Sequence, residues 1–219
     1  MGQAPAERPP HEFHFTTGMV WSPDALDREE NVPEPLEFEY LSGEQWRSLT
    51  VSYMATHGRF RYRGPSPLRL YRASVGADGE KTRRLALSVE IPPEISEGIL
   101  YFFPPQNDTY YGHLVDTSLS RFKPGELLVA NFSPNRAVAG IFEERVVIPP
   151  GSSEVIPFES GRTFLDFQVA VQENQAWRLI ANRRFPAVSN RRAVALIYQS
   201  DITGGPWKMS LSFLKPSNQ

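Results

Sequence analysis

Apolar and polar residues alternate with period two along much of this chain. Leu85, Leu87, Val89 and Ile91 are separated by Ala86, Ser88 and Glu90, and Leu165, Phe167, Val169 and Val171 by Asp166, Gln168 and Ala170. That spacing marks a strand with one face buried. Leu49, Val51 and Tyr53 repeat it, as do Phe60 and Tyr62 between Arg59, Arg61 and Arg63, and Met209, Leu211 and Phe213 near the end. Trp177, Leu179, Ala181 and Phe185 share one parity, which predicts a single buried face and places Trp177 in a core. Ile99 to Phe103 is an unbroken apolar run, as in a central strand buried on both sides.

Proline and glycine punctuate these runs. Pro92-Pro93, Pro104-Pro105 and Pro149-Pro150-Gly151 each follow an apolar segment and predict its end, because proline donates no ladder hydrogen bond. Between Leu127–Phe132 and Ala137–Phe142, Ser133-Pro134-Asn135-Arg136 has the residue types of a hairpin turn. Asn131 at the end of its strand is expected to bind the backbone of that turn through its side-chain amide. About a dozen short strands follow from this grammar, with no convincing amphipathic helix.

The pattern predicts an all-β protein, an antiparallel β-sandwich of immunoglobulin-like or jelly-roll-like type with little helix. Two tandem β lobes are expected, residues 36–106 and 107–215, after an extended or partly disordered tail over residues 1–35. One continuous sandwich over 36–215 is the alternative. A weak internal similarity supports two lobes: Ile91-Pro92-Pro93 and Ile148-Pro149-Pro150 both close a strand.

Composition narrows the chemistry. The 219 residues are 40% hydrophobic, enough for a sizeable core, and contain no cysteine, which excludes disulfides, thiol catalysis and thiolate metal sites. No apolar run approaches the roughly 18 residues of a membrane span. Gln3 to Pro10 is polar and proline-rich, which suits the segment following a signal-peptidase cut. With the missing cysteines it predicts an extracytoplasmic protein, periplasmic or secreted, with its signal peptide removed. Net charge alternates in blocks: −7 over residues 1–56, +6 over 57–84, −7 over 85–174 and +6 over 175–219. The slightly negative total and the absence of a recognition motif argue against nucleic acid.

Candidate sites follow from side-chain type. Arg59, Arg61 and Arg63 on one strand face, with Arg69 and Arg72 near in sequence, form a possible anion-binding stripe; a solvated strand face opposite Glu37 and Glu39 is the plainer reading. Trp46, Tyr110, Tyr111 and Trp207, with Trp21 and Trp177, are candidates for sugar stacking. His113, Asp116, Thr117 and Ser118 hold catalytic residue types together. In an extended strand, however, His113 and Asp116 point to opposite faces, so a strand edge followed by an Asp-Thr-Ser turn is expected. His11, Glu12 and His14, with His57 and His113, give no metal-ligand spacing of use. No catalytic, cofactor-binding or metal-binding residue is assigned. Asn107-Asp108-Thr109 and Asn131-Phe132-Ser133 match the glycosylation acceptor pattern.

The expectation is a non-catalytic, exported β-sandwich binding or assembly module whose partner is a protein or polysaccharide. A carbohydrate-binding or carbohydrate-active protein is the alternative.

Overall fold

The computed structural model describes residues 11–20, 35–52, 57–106, 109–158, 162–187, 190–199 and 206–214. Trp21, Tyr53 and Asn107 lie outside these residues. Among the described residues there are sixteen strands: β1 His11–Met19, β2 Leu36–Ser42, β3 Gln45–Val51, β4 His57–Gly64, β5 Leu68–Val75, β6 Lys81–Val89, β7 Glu97–Gln106, β8 Thr109–Asp116, β9 Glu126–Asn131, β10 Ala137–Ile141, β11 Glu144–Ile148, β12 Ser153–Pro157, β13 Phe164–Glu173, β14 Ala176–Pro186, β15 Ala193–Gln199 and β16 Trp207–Phe213. The fold is all-β, as the alternation predicts. The chain divides into two compact units, Met1–Ser118 and Leu119–Gln219. Residue 106 is therefore the last of β7 and pairs with Thr109 of β8, inside the first unit.

Each unit contains two four-stranded sheets in one shared order. In the first unit the sheets run β4-β1-β7-β8 and β3-β2-β5-β6; in the second they run β12-β9-β15-β16 and β11-β10-β13-β14. Counting strands from the start of each unit, both read 4-1-7-8 and 3-2-5-6. All pairings are antiparallel except β1 with β7 and β9 with β15. The registers agree in detail. Glu39 pairs with Tyr71 as Val138 pairs with Ala170. Both units carry a bulge at the same place, between Leu70 and Tyr71 and between Val169 and Ala170. One architecture is thus built twice. The Ile-Pro-Pro similarity does not report it: Ile91 follows the sixth strand of its unit, whereas Ile148 ends the third.

Burial explains why each unit closes as two layers. In the first, Phe13 and Phe15, Phe38 and Tyr40, Leu49 and Val51, Leu68 and Leu70, and Leu100 and Phe102 point from both sheets into one core. In the second, Leu127, Val129, Ala139, Ile148, Leu165, Phe167, Val169, Ala195 and Ile197 do the same. Each of the Val, Leu, Ile and Phe side chains among them contributes about 1.5–3 kcal/mol on leaving water. β7 is buried from Ile99 to Phe102, on both faces, as its unbroken apolar run predicts.

Three expectations are corrected by these pairings. His11–Met19, expected in a tail, is a central strand of the first unit, with Phe13 and Phe15 fully buried. β9 and β10 do not form a hairpin, because β9 lies between β12 and β15 while β10 lies in the facing sheet. The turn at 133–136 is an arch between layers, and Asn131 supports it. Its buried amide donates to Asn135 O at 2.8 Å and Ile148 O at 3.0 Å, and its Oδ1 accepts the Ser133 N–H at 3.1 Å. Pro104 and Pro105 do not end β7 but fall where its register with β8 shifts, between Phe103 and Gln106, a bulge that needs no ladder donor.

Candidate functional site

The bulge in β14 decides what its outer face presents. Val169 pairs with Ala181 but Ala170 pairs with Leu179, so Ile180 is the extra residue. An inserted residue sends every side chain on one side of it to the opposite face. Ala181 and Phe185 therefore enter the core, while Trp177 and Leu179 turn outward, 49% and 58% exposed. The shared parity of these four residues predicted burial for all; for Trp177 and Leu179 the bulge overturns it.

Trp177 and Leu179 border a concavity of about 570 Å³ on the outer face of the β11-β10-β13-β14 sheet. That volume is in the range of small-ligand and side-chain sites. Val138, Gly140 and Ala170 supply small side chains at its floor; Phe142, Arg145 and Val147 stand opposite, and Asp166 and Gln168 lie between. Register orders the floor into rows. Val147, Val138, Ala170 and Leu179 line up across the four strands, an apolar row. Two residues along, about 7 Å away, Arg145, Gly140, Gln168 and Asn182 form a polar row. Asp166 is already paired with Arg184 at 3.4 Å. Arg145 makes no ion pair with another described residue.

Phe142 is held in an unusual backbone state. It sits in the two-residue turn between β10 and β11 at φ 54°, in the left-handed region, where a bulky side chain is disfavoured. The corresponding turn of the first unit, between β2 and β3, uses Gly43 at φ 62°. Arg162 stacks over the Phe142 ring at 3.9 Å. The ring also lines a second hollow, of about 490 Å³, with Glu143, Glu144, Pro157, Phe158 and Arg162. An aromatic ring is thus kept at a strained position, where it divides two concavities.

The corresponding face of the first unit carries larger side chains that bind one another. By register, Glu39, Leu41 and Tyr71 stand where Val138, Gly140 and Ala170 stand in the second. Glu39 bonds Lys81 and Arg83, the latter at 2.7 Å, and Arg83 lies over Trp46 at 4.0 Å. Trp46 meets Tyr71 edge-on at 5.4 Å. The Lys81 hydrogen bond, followed by that of Arg83, holds the Glu39 carboxyl below the usual carboxylate range. This face is filled by its own side chains.

The sequence candidates are distributed as follows. Arg59, Arg61 and Arg63 lie on β4, but Arg69 and Arg72 lie on β5 in the other sheet, so the five do not form one stripe. Arg61 is engaged by Glu12 at 2.7 Å rather than by Glu37 or Glu39, and that bond lowers the Glu12 pKa. Arg72 donates to Glu37 O at 3.1 Å. Trp46 belongs to β3, whereas Tyr110 and Tyr111 belong to β8 in the facing sheet. Tyr110 packs edge-on against Phe38 at 5.2 Å, and Tyr111 is exposed. Trp207 is buried in the second unit, its Nε1 donating to Glu173 Oε1 at 3.3 Å. The four do not share a platform.

His113, Asp116 and Ser118 do not converge as a catalytic set. Asp116 Oδ1 accepts the Ser118 N–H at 2.9 Å, closing the Asp-Thr-Ser turn expected from the sequence. Ser118 Oγ accepts the Ser96 N–H at 3.1 Å. Burial lowers the His113 pKa. Among the described residues no group of three or more His, Asp or Glu side chains is placed to hold a metal ion. No helix among them is long and apolar enough to cross a membrane. No protein-family model and no curated protein sequence matches the chain, so function rests on the geometry above.

Proposed function

We propose that this chain is a non-catalytic binding or assembly module that works outside the cytoplasm and recognises a protein partner through the outer β11-β10-β13-β14 face. The observation that carries this reading is the open apolar concavity bordered by Trp177, Leu179 and Phe142. Tryptophan, phenylalanine and arginine are the residue types enriched at the centres of protein interfaces. One of the two rows of the floor is aliphatic, and Asp166 is already engaged by Arg184. Sugar hydroxyls placed on Val138, Val147, Ala170 and Leu179 would lose water without gaining partners, which disfavours the carbohydrate alternative. The polar, proline-rich composition of Gln3 to Pro10 is what supports the extracytoplasmic setting.

The test is a pair of screens on the intact chain, a random-peptide phage library and a glycan array, each repeated with Trp177→Ala. Peptide ligands lost in the variant support the reading. Ligands that bind parent and variant alike remove this face from the function, and tryptophan-dependent glycan binding alone transfers it to the carbohydrate alternative.

A further inference from the structure

Resting on that reading, we infer that the partner is a peptide segment with a large apolar side chain flanked by a carboxylate, the apolar group seated between Trp177 and Phe142 and the carboxylate on Arg145. Three features lead to this chemistry. The first is the two-row floor, an apolar row from Val147 to Leu179 beside a polar row from Arg145 to Asn182. A ligand lying across the strands meets both rows, so its apolar and polar groups must be adjacent. The second is charge. Asp166 pairs with Arg184, which leaves Arg145 as the charged side chain of this concavity with no ion pair among the described residues. A guanidinium beside an apolar wall binds a carboxylate in two parallel hydrogen bonds and gains strength as water is excluded. The third is Phe142, whose ring separates this concavity from the second hollow, where Glu143 and Glu144 lie with Arg162. The acidic residues do not share the hollow that contains Arg145, so a carboxylate there meets no like charge in the wall except the paired Asp166.

The comparison with the first unit supports the assignment. Trp46 and Arg83 occupy the positions of Arg145 and Trp177, so aromatic and cation have exchanged strands. There they bind each other, and Arg83 binds Glu39. In the second unit the carboxylate of Glu39 is replaced by Val138, and Tyr71 by Ala170. The space and the anion that the first unit supplies internally are the ones a partner of the second must bring.

The experiment pans a random-peptide phage library on the intact chain and counter-selects on Trp177→Ala. The surviving peptides are synthesised and measured by fluorescence anisotropy against the parent, Arg145→Glu and, as a control outside the site, Trp46→Ala. The expected result is a set rich in Leu, Phe or Trp beside Asp or Glu. Their binding should fall about tenfold or more in Arg145→Glu, weaken as salt is raised, and hold in Trp46→Ala. Survivors without acidic residues, or survivors that bind Arg145→Glu as well as the parent, overturn the carboxylate assignment while the binding face stands. If no peptide survives counter-selection, the protein-partner reading itself falls, and with it this inference.

Discussion

The two units put the same fold to opposite uses on one face. At the first, Glu39, Leu41 and Tyr71 fill the sheet surface, and Lys81, Arg83 and Trp46 close over it. At the second, Val138, Gly140 and Ala170 leave the floor bare, and its aromatic and cation point into open space. Strand order, register and bulge are held constant, so the difference lies in a few side chains. A duplicated fold can therefore keep one copy self-satisfied and leave the other incomplete, and the incomplete copy is where a partner is sought.

The largest expected effect concerns a difference in the layers below that face. Asn131 stands where the first unit has Met19, since Met19 pairs with Phe102 as Asn131 pairs with Ile197. Replacing Asn131 with Ala takes the buried amide donor from the Ile148 carbonyl and the Oδ1 acceptor from the Ser133 N–H, while the Asn135 carbonyl keeps the Ser133 hydroxyl at 2.9 Å. It should destabilise the second unit by about 3 kcal/mol and leave the first unchanged, as read by hydrogen exchange of the two units. Equal loss of protection in both units would show that they do not unfold separately.

Next is Ala170→Tyr, which rebuilds at the second face what Tyr71 supplies at the first. It should abolish binding of any ligand selected on the concavity and change stability by less than about 1 kcal/mol, because Ala170 faces outward. Retained binding would mean that the floor is not the site. Phe142→Gly installs the Gly43 arrangement. Relief of the left-handed backbone should offset the lost Arg162 stacking and raise stability by up to about 1 kcal/mol, while binding falls. A variant that loses stability and keeps its ligand would mark Phe142 as structural.

The smallest effect is acid sensitivity, which should divide the units. All four histidines lie in the first. Burial lowers the His113 pKa, so its contribution is complete above the unfolded value of about 6.5 and is lost as pH falls through the lower folded value. Glu39 adds to this below the ordinary carboxylate range, because its folded pKa is also lowered. Acidification should thus weaken the first unit before the second, visible as two separating transitions in calorimetry, and His113→Gln should narrow the gap.

Much of this architecture was legible from alternation and from short apolar runs bounded by turn residues. β4, β9, β10, β13 and β16 lie close to where the pattern puts them, and the Asp116–Ser118 turn and the Asn131 amide follow from their residue types. The open face of the second unit was not legible, for a physical reason. A bulge adds one residue without leaving a period in the sequence, so the run Trp177, Leu179, Ala181, Phe185 reads as one buried stripe although it serves two faces. Gly140 and Ala170 matter by the volume they do not occupy, which becomes visible only when Leu41 and Tyr71 can be aligned with them. β1 escaped notice because its partner β7 is distant in sequence and parallel to it.

That parallel pairing carries a consequence for how the protein is made. His14 is matched to Glu97 and Met19 to Phe102, so the earliest strand of the first unit has no neighbour on that side until the seventh has been synthesised. Contacts between such distant segments slow folding. On a ribosome, or threaded through a pore, β4 can cover one edge of β1 early, but the other edge stays open while most of the unit emerges, an interval in which a chaperone that holds extended chain has something to grip.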